Sequence, residues 1–303
     1  MATNQAIGGV SPVTLEEMAR PRRRRLVGLW RLVRQNPLGT FGFIIIFSLL
    51  AVAIFAPLIA PYRYSELTVG APTEDPSWKH LFGTDNFGRD MFSRVVFGAR
   101  ISLMVGFFSV GGGTLIALVL GIISGYAGGA IDNIIQRAVD TAIAFPLLLF
   151  LLILAQILGP SFQTVVLAVG IAIIFPVTRV VRGAVLSERN NQYVEAARAL
   201  GASTPRILFV HIAPNIAALA IIVATTLLGS AILAEASLSF LGLGIPVPNP
   251  SWGTDVSAAR NHFPVHVWWA FFPGAAITLT VLAFNLLGDS LRDILDPRLR
   301  GRL

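Results

Sequence analysis

The chain has 303 residues, of which 54% are hydrophobic and only 13% are charged, whereas a soluble domain carries about 25% charged residues. This apolar excess excludes an ordinary water-soluble domain and predicts an all-α polytopic membrane protein. The net charge of +7 would also suit nucleic acid binding. The excess arginine lies beside hydrophobic segments, however, where it is typical of membrane topology. Membrane lipid is therefore an expected partner and nucleic acid is not.

Charge-free windows along the chain predict six membrane-spanning helices. A spanning helix needs about 20 apolar residues, and windows 41–60, 101–131, 141–178, 207–234 and 261–288 contain no Asp, Glu, Lys or Arg. The window 141–178 is too long for one span, and Gly159-Pro160 near its middle predicts a turn between two helices. The predicted spans are 38–60, 101–126, 138–158, 162–182, 215–240 and 267–289.

The distribution of Lys and Arg predicts the orientation of these spans. With the N-terminus inside, 17 of the 23 basic residues lie in inner segments and 6 in outer segments, which predicts that both termini are cytoplasmic. The predicted organisation is a basic N-terminal tail 1–36, a first span 37–61, an extracytoplasmic loop 62–99, a five-helix core 100–289 and a C-terminal tail 290–303.

The sequence offers no set of residues for an enzyme centre. Its only lysine, Lys79, follows no glycine-rich loop, so the chain has no P-loop for ATP. His262 and His266 are spaced to share a helix face, but a zinc site needs a third protein ligand. Serines in the spans have no nearby histidine or lysine to act as a base. We therefore predict no catalytic residue, no metal site and no cofactor bound by this chain.

Two acidic residues and a glycine run stand out within the predicted spans. Asp140 follows Arg137 by three residues, and an ion pair at this helical spacing would explain it without a functional role. Glu235 lies near the outer end of the fifth span, where it either makes a structural hydrogen bond to a neighbouring helix or faces a cavity. The run Gly111-Gly112-Gly113 predicts close helix packing.

The inner segment at about 190–214 has the pattern of two short helices around a bend. The stretch from Asn191 predicts a helix that ends at Gly201, while Ser203 and Pro205 predict the N-cap and first turn of a second helix. Such a bend, joined directly to the fifth span, is suited to docking in a cleft of another protein. A plain connector is the alternative, although connectors between helices are usually about 2–8 residues long.

The same segment resembles the EAA loop of binding-protein-dependent ABC importer permeases. The resemblance rests on Glu195-Ala196-Ala197, on Gly201 after three intervening residues, and on the close at Pro214. His211 and Ala213 stand where isoleucine and leucine are usual, and His211 with Pro214-Asn215 is similar to the peptide-permease branch. In that family the loop is a coupling helix seated in the ATPase subunit. The resemblance implies this role for Glu195, Ala196, Ala197, Gly201, Ala202, Ser203, Pro205 and Arg206.

Other blocks resemble the C-type subunit of dipeptide and oligopeptide permeases. They are Gly83-Thr84-Asp85, Gly88-Arg89-Asp90, Ser93-Arg94, Gly125-Tyr126, Asp132, Phe145-Pro146, Leu238-Ser239-Phe240-Leu241-Gly242, Ser251-Trp252-Gly253 and Asp296-Pro297-Arg298. Importers of nickel, glutathione and opines share these blocks, so those substrates remain alternatives to di- or oligopeptides.

The resemblance implies a type I ABC importer permease fold in the cell membrane and a set of partners. These are a homologous second permease subunit, two ATP-binding subunits that hold ATP and Mg²⁺, and an extracytoplasmic substrate-binding protein. Asp85, Arg89, Asp90, Arg94 and Trp252 are expected to belong to the docking surface or gate for that binding protein. A stand-alone ion-coupled carrier or a channel is the rival class, but it would need buried charges or a polar selectivity ring, which the spans scarcely offer.

Overall fold

The computed structural model describes residues 36–295 of the chain. The predicted basic N-terminal tail and residues 296–303 of the predicted C-terminal tail lie outside the described residues, so the orientation of the termini stays a prediction. Within residues 36–295 every regular element is helical, apart from one isolated β-bridge between Thr84 and Asp90.

Nine α-helices of eight residues or more lie within the described residues. They are α1 Pro37–Ile54, α2 Met91–Ala127, α3 Gly129–Ile143, α4 Leu147–Leu158, α5 Phe162–Glu188, α6 Gln192–Ala199, α7 Ala213–Phe240, α8 Trp252–Ala259 and α9 Val267–Leu295. Five continuous helical stretches are long and apolar enough to cross a membrane, and the bent pair α3 and α4 makes a sixth if it counts as one span. The prediction of an all-α protein with multiple membrane spans is confirmed.

The third predicted span, 138–158, differs most from the structure. It is two helices, α3 and α4, bent by 91° at a short break, and α3 already begins at Gly129. Pro146 explains the position of the break, because proline donates no backbone hydrogen bond and disfavours helical geometry at Phe145 before it.

The second predicted span, 101–126, is only part of a longer helix. The helix α2 begins at Met91, and the Asp90 carboxylate caps it by accepting a hydrogen bond from the Ser93 amide at 2.8 Å. At 1.5 Å per residue α2 is about 55 Å long, while the hydrocarbon core of a bilayer is about 30 Å thick. The first turns of α2 therefore extend beyond the membrane and join the loop that precedes them.

A seam of small residues brings α2 and α5 into backbone contact. Every fourth residue of α2 along this seam is small and buried: Ser109, Gly113, Ala117, Gly121 and Gly125. A Cβ on Gly113 would lie 2.5 Å from the carbonyl oxygen of Gly170, and one on Gly121 would lie 2.6 Å from the Cβ of Val181. Small residues at this spacing allow two membrane helices to approach closely.

The glycine run in α2 contributes only one residue to this seam. Gly113 makes the close approach, whereas Gly111 and Gly112 have no atom within 4 Å of the place where a Cβ would stand. The prediction of close packing for the whole run is therefore wrong for the first two glycines, because they lie on the exposed side of the helix.

Gly121→Val provides the test of the seam. The added methyl groups meet Val181, and overpacking of this kind costs about 1–3 kcal/mol, so the thermal unfolding midpoint in detergent should fall. Gly111→Val is the matched control, since the same side chain enters open space there. Equal unfolding midpoints for the two variants would contradict the close approach of α2 and α5.

Candidate functional site

The segment after α5 folds into the predicted helix, bend and second helix. The helix α6 ends in a left-handed residue, Gly201, with φ of +80°. Its amide bonds to the carbonyl of Arg198 at 3.0 Å, and the Ala202 amide bonds to the carbonyl of Ala197 at 3.0 Å. These two bonds form a Schellman motif, which explains why glycine stands at this position. Ser203 is the N-cap of the next turn, as predicted, although its side chain makes no capping bond.

Most residues of the bend are exposed and do not pack against the helical bundle. Among the residues predicted to couple, Ala197 and Ala202 are half-buried and the others are exposed, namely Glu195, Ala196, Gly201, Ser203, Pro205 and Arg206. Leu200 at the tip is 89% exposed. A fully exposed leucine on a short helix bend is typical of a protein contact when it lies within a larger exposed surface.

The bend is anchored to the bundle from behind. Val194 of α6 is fully buried, and α6 packs against the π-helical stretch Ile207–Ile212, in which both terminal isoleucines are buried. That stretch widens the helix just before Pro214, whose ring would clash with the carbonyl four residues earlier in a regular α-helix. The helix therefore continues without a break from Thr204 to Phe240. The bend is thus joined to α7 by continuous helix.

A second connection joins the bend to α5 through Tyr193. The Tyr193 hydroxyl donates to the Glu188 carboxylate at the end of α5 and accepts from the Asn215 amide at 2.8 Å, at the start of α7. Burial of the hydroxyl and its bond to Glu188 raise the pKa of Tyr193, so the phenol stays protonated and able to donate. We call Glu188, Tyr193 and Asn215 the tyrosine clamp. The sequence pattern contained no sign of it, because its members come from three separate helices.

A polar cluster ties the neighbouring ends of α2, α3 and α5 together. Arg182 of α5 binds Asp132 of α3 through two hydrogen bonds of 2.5 Å, and Ser124 of α2 donates to the same carboxylate. Arg189 donates to the carbonyl of Gly125 at 2.8 Å and so caps the end of α2. These arginines were counted only as topology signals in the sequence, which cannot show their partners.

The predicted partner of Asp140 is wrong. Its carboxylate binds Arg179 of α5 and not Arg137, which is three residues earlier in the same helix. The interaction with α5 is possible because α3 packs against α5. Both side chains are about half exposed, 55% for Asp140 and 51% for Arg179.

At the opposite end of the bundle, the predicted docking residues turn out to be buried. Asp85 and Arg89 form an ion pair inside a tight turn, where the Asp85 carboxylate also accepts from the Phe87 amide at 2.8 Å. Asp90 binds His80, which is fully buried, at 3.0 Å. The exposed fractions of Asp85, Arg89 and Asp90 are 1%, 6% and 2%, so these side chains shape the loop and do not themselves offer a contact surface.

Arg94 and Trp252 are buried as well, at the junction of α2 and α8. Arg94 donates to the Asp255 carboxylate at 2.8 and 2.5 Å and to the Tyr64 carbonyl at 3.2 Å. Burial raises the pKa of Asp255, and the Arg94 guanidinium opposes that rise. The indole of Trp252 donates to the Val95 carbonyl at 3.0 Å. Arg94 and Trp252 therefore join α2, the long loop and α8 into one unit.

Glu235 makes the structural hydrogen bonds that were one of its two interpretations. Its side chain is fully buried and accepts from Ser239 of its own helix at 2.8 Å and from Ser102 of α2 at 3.3 Å. The Ser102 hydroxyl also lies 3.4 Å from the Trp252 amide. Glu235 thus fastens α7 to α2 and α8.

An apolar cavity of about 400 Å³ lies at the bend between α3 and α4. Residues of α5 and α7 form its other walls, and Ser230 carries the only hydroxyl among its lining residues. At the opposite end of the bundle from the α6 bend, His262 and His266 have ring centroids 6.4 Å apart. Within residues 36–295 no third His, Cys, Asp or Glu joins them.

Comparison with known proteins gives consistent matches over nearly the whole chain. The family described as binding-protein-dependent transport system inner membrane component matches residues 117–301, and the N-terminal TM domain of oligopeptide transport permease C matches residues 26–78. The dipeptide transport system permease protein DppC of Alkalihalophilus pseudofirmus is 44% identical over 89% of this chain and 88% of its own length. The oligopeptide transport system permease protein OppC of Bacillus subtilis is 40% identical over 91% of this chain and 92% of its own length.

One solved structure, of an amino acid ABC transporter with histidines, aligns with 70% of this chain and 95% of its own. Its TM-score is 0.48 and its sequence identity is 18%.

Gly201→Ala tests the geometry of the bend. An alanine held at positive φ costs about 1–2 kcal/mol, while the space around Gly201 is open, so strain is the only effect expected. Hydrogen exchange of the amides in 197–203 should become about five to thirtyfold faster. Gly183→Ala, on the exposed side of α5, is the control and should leave exchange unchanged. A slower exchange in Gly201→Ala would refute the left-handed cap.

Arg94→Met tests the buried ion pair. It leaves the Asp255 carboxylate buried without a partner, which costs about 3–5 kcal/mol, and the unfolding midpoint should fall accordingly. Without Arg94 only burial acts strongly on Asp255, so its pKa in the folded state should lie above its pKa in the unfolded chain. A group of this kind contributes stability at low pH, and that contribution is lost as the pH rises. The loss of stability caused by Arg94→Met should therefore become smaller as the pH is lowered from about 8 to about 5.

Two further variants control this experiment. Arg94→Met combined with Asp255→Leu removes both charges and should recover most of the stability, and Arg100→Met removes an exposed arginine further along α2. If Arg100→Met destabilised the protein as much as Arg94→Met, the buried pair would not be the cause.

Proposed function

Because the chain belongs to the family of binding-protein-dependent transport system inner membrane components, we propose that it carries di- or oligopeptides across the cell membrane as one permease subunit of an ATP-driven importer. The relatives named for dipeptide and oligopeptide transport support this choice of substrate. The chain supplies the pathway and moving helices, and partner subunits bind ATP with Mg²⁺ and hydrolyse it.

The exposed bend after α6 is the observation that carries this proposal. It offers Leu200 and the coupling residues around it on one side, and on the other side it is continuous with a spanning helix. We place a groove of an ATP-binding subunit against this bend. Closure of two such subunits on ATP would then push residues 197–206 toward the membrane.

The contacts behind the bend explain how such a push would spread. A displacement of the bend would move α7 directly, because the two are one continuous helix. Through the tyrosine clamp it would also move the end of α5. Because α5 is packed against α2 through the small-residue seam, the two helices should move together. The expected result is a rocking of α5 and α7 that exposes the pathway to one side of the membrane and then to the other.

The long-loop end is the proposed docking side for an extracytoplasmic binding protein, which places both termini of this chain in the cytoplasm. The buried residues Asp85, Arg89, Asp90, Arg94 and Trp252 keep this end in shape. The contact surface itself would consist of exposed apolar side chains that they support, including Trp78, which is 98% exposed, and Phe87, which is 53% exposed. A homologous second permease subunit would complete the pathway.

Substitutions in the bend test the proposed coupling. Glu195→Lys reverses a charge in the bend, and Leu200→Asp places a carboxylate where an apolar contact is expected. Each should reduce ATP-driven peptide uptake at least tenfold, equivalent to about 1.4 kcal/mol of lost coupling. Uptake should be measured in proteoliposomes that hold the complete complex purified with its native partners.

The control is Asp293→Lys, the same kind of charge reversal on the exposed side of α9 at the same end of the bundle. It should leave uptake unchanged. Uptake at the normal rate in both bend variants would refute the coupling role, and uptake by this chain alone, without ATP-binding subunits, would identify a stand-alone carrier.

A further inference from the structure

The cavity at the bend between α3 and α4 lies at the middle of the spans. The α5 residues that line it fall between Val169 and Pro176, and the α7 residues fall between Leu227 and Ala234. Both ranges are near the centres of their helices. Apart from Ser230, its walls consist of aliphatic and aromatic side chains, and its volume of about 400 Å³ falls in the range of about 300–1,000 Å³ that is usual for small-molecule sites.

A charged pair stands immediately beside this cavity. Asp140 and Ile143 are three residues apart in α3, and Pro176 and Arg179 are three residues apart in α5, so each charge lies on the same helix face as a lining residue. The pair between Asp140 and Arg179 brings these two faces together.

The exposure of Asp140 and Arg179 indicates whether the cavity faces lipid or the transport pathway. Asp140 and Arg179 are each about half exposed, and charged side chains of membrane helices face water-filled or protein-filled space in preference to lipid. The side of the bundle that carries both the pair and the cavity is therefore the side of the transport pathway, and lipid covers other faces.

We propose that this cavity receives an apolar side chain of the peptide during translocation. The inference rests on the proposed function and adds that this subunit itself favours peptides with bulky apolar side chains. Ser230 lies at the exposed edge of the cavity, and Phe145 and Phe175 offer ring surfaces to an aliphatic or aromatic group. The bend of 91° between α3 and α4 creates the space, since a straight third span would fill it.

Ser230→Phe fills the cavity from its edge and leaves the buried packing in place. In proteoliposomes with the complete complex, the KM for trileucine should rise about tenfold relative to the unsubstituted complex, while the KM for triglycine should change less than about twofold. Ala217→Phe is the control, because it adds the same ring at an exposed position of α7 outside the cavity.

A labelling experiment gives a second readout. The chain has no native cysteine, so Ser230→Cys provides a single thiol whose reaction with a charged, water-soluble reagent can be followed by the mass of this subunit. The thiol should react during turnover, and trileucine should slow the reaction more than triglycine does. Ile221→Cys, on the face of α7 opposite to Ser230, outside the cavity lining and 54% exposed, should stay unlabelled.

Each other outcome would overturn the inference. An equal loss of trileucine and triglycine uptake in Ser230→Phe would mean that the second permease subunit, and not the peptide, contacts the cavity. Unchanged uptake in that variant, together with an unreactive thiol in Ser230→Cys, would assign the cavity to lipid. Both outcomes leave peptide uptake by the unsubstituted complex intact, whereas absence of that uptake would refute the proposed function itself.

Discussion

The backbone contact between α2 and α5 is the constraint on which the other features of the bundle depend. At the glycines of the seam there is no room for side chains on α2, so Val181 and Val185 of α5 lie almost directly on the backbone at Gly121 and Gly125. Interfaces of this kind have one favourable register, because any sliding brings a larger residue against a glycine. The hydrogen bonds from Arg189 to Gly125 at one end and from Ser109 to Val166 nearer the other fix that register. The two helices therefore form one tightly packed unit.

The helix α7 is joined to this unit by hydrogen bonds near both ends, and between them Ile232 packs against Gly106 of α2. Glu235 binds Ser102 near one end, and the tyrosine clamp joins α7 to α5 at the other. Between these attachments lies the cavity, where α5 and α7 are separated by empty space beside the bent third span. A packed interface resists small displacements, whereas a cavity permits them. A small movement of α7 relative to α5 should therefore meet less resistance beside the cavity than a movement of α5 relative to α2 at the seam.

The sequence was informative where a local rule decides the structure. Charge-free windows located the spans because a bilayer requires long apolar segments, and Gly201 marked the end of α6 because a left-handed residue favours glycine. The break at Pro146 was visible as a proline but was not sufficient to predict a 91° bend, which depends on what packs around it. The partners of Asp132, Asp140 and Tyr193 were beyond prediction, because they lie on other helices whose packing the sequence pattern does not give.

The buried charges at the long-loop end show how resemblance and physical role can diverge. The blocks around Asp85, Arg89 and Arg94 resembled a permease loop, and exposed charges in a loop would suit a partner surface. In the structure each of these charges has an oppositely charged partner inside the protein, and removing a buried partner costs much more than removing an exposed one. A long loop with little secondary structure needs such internal pairs to keep one shape. These residues therefore stabilise the shape of the loop, and in the proposed importer the contacts with a binding protein would be made by the exposed apolar side chains that the loop presents.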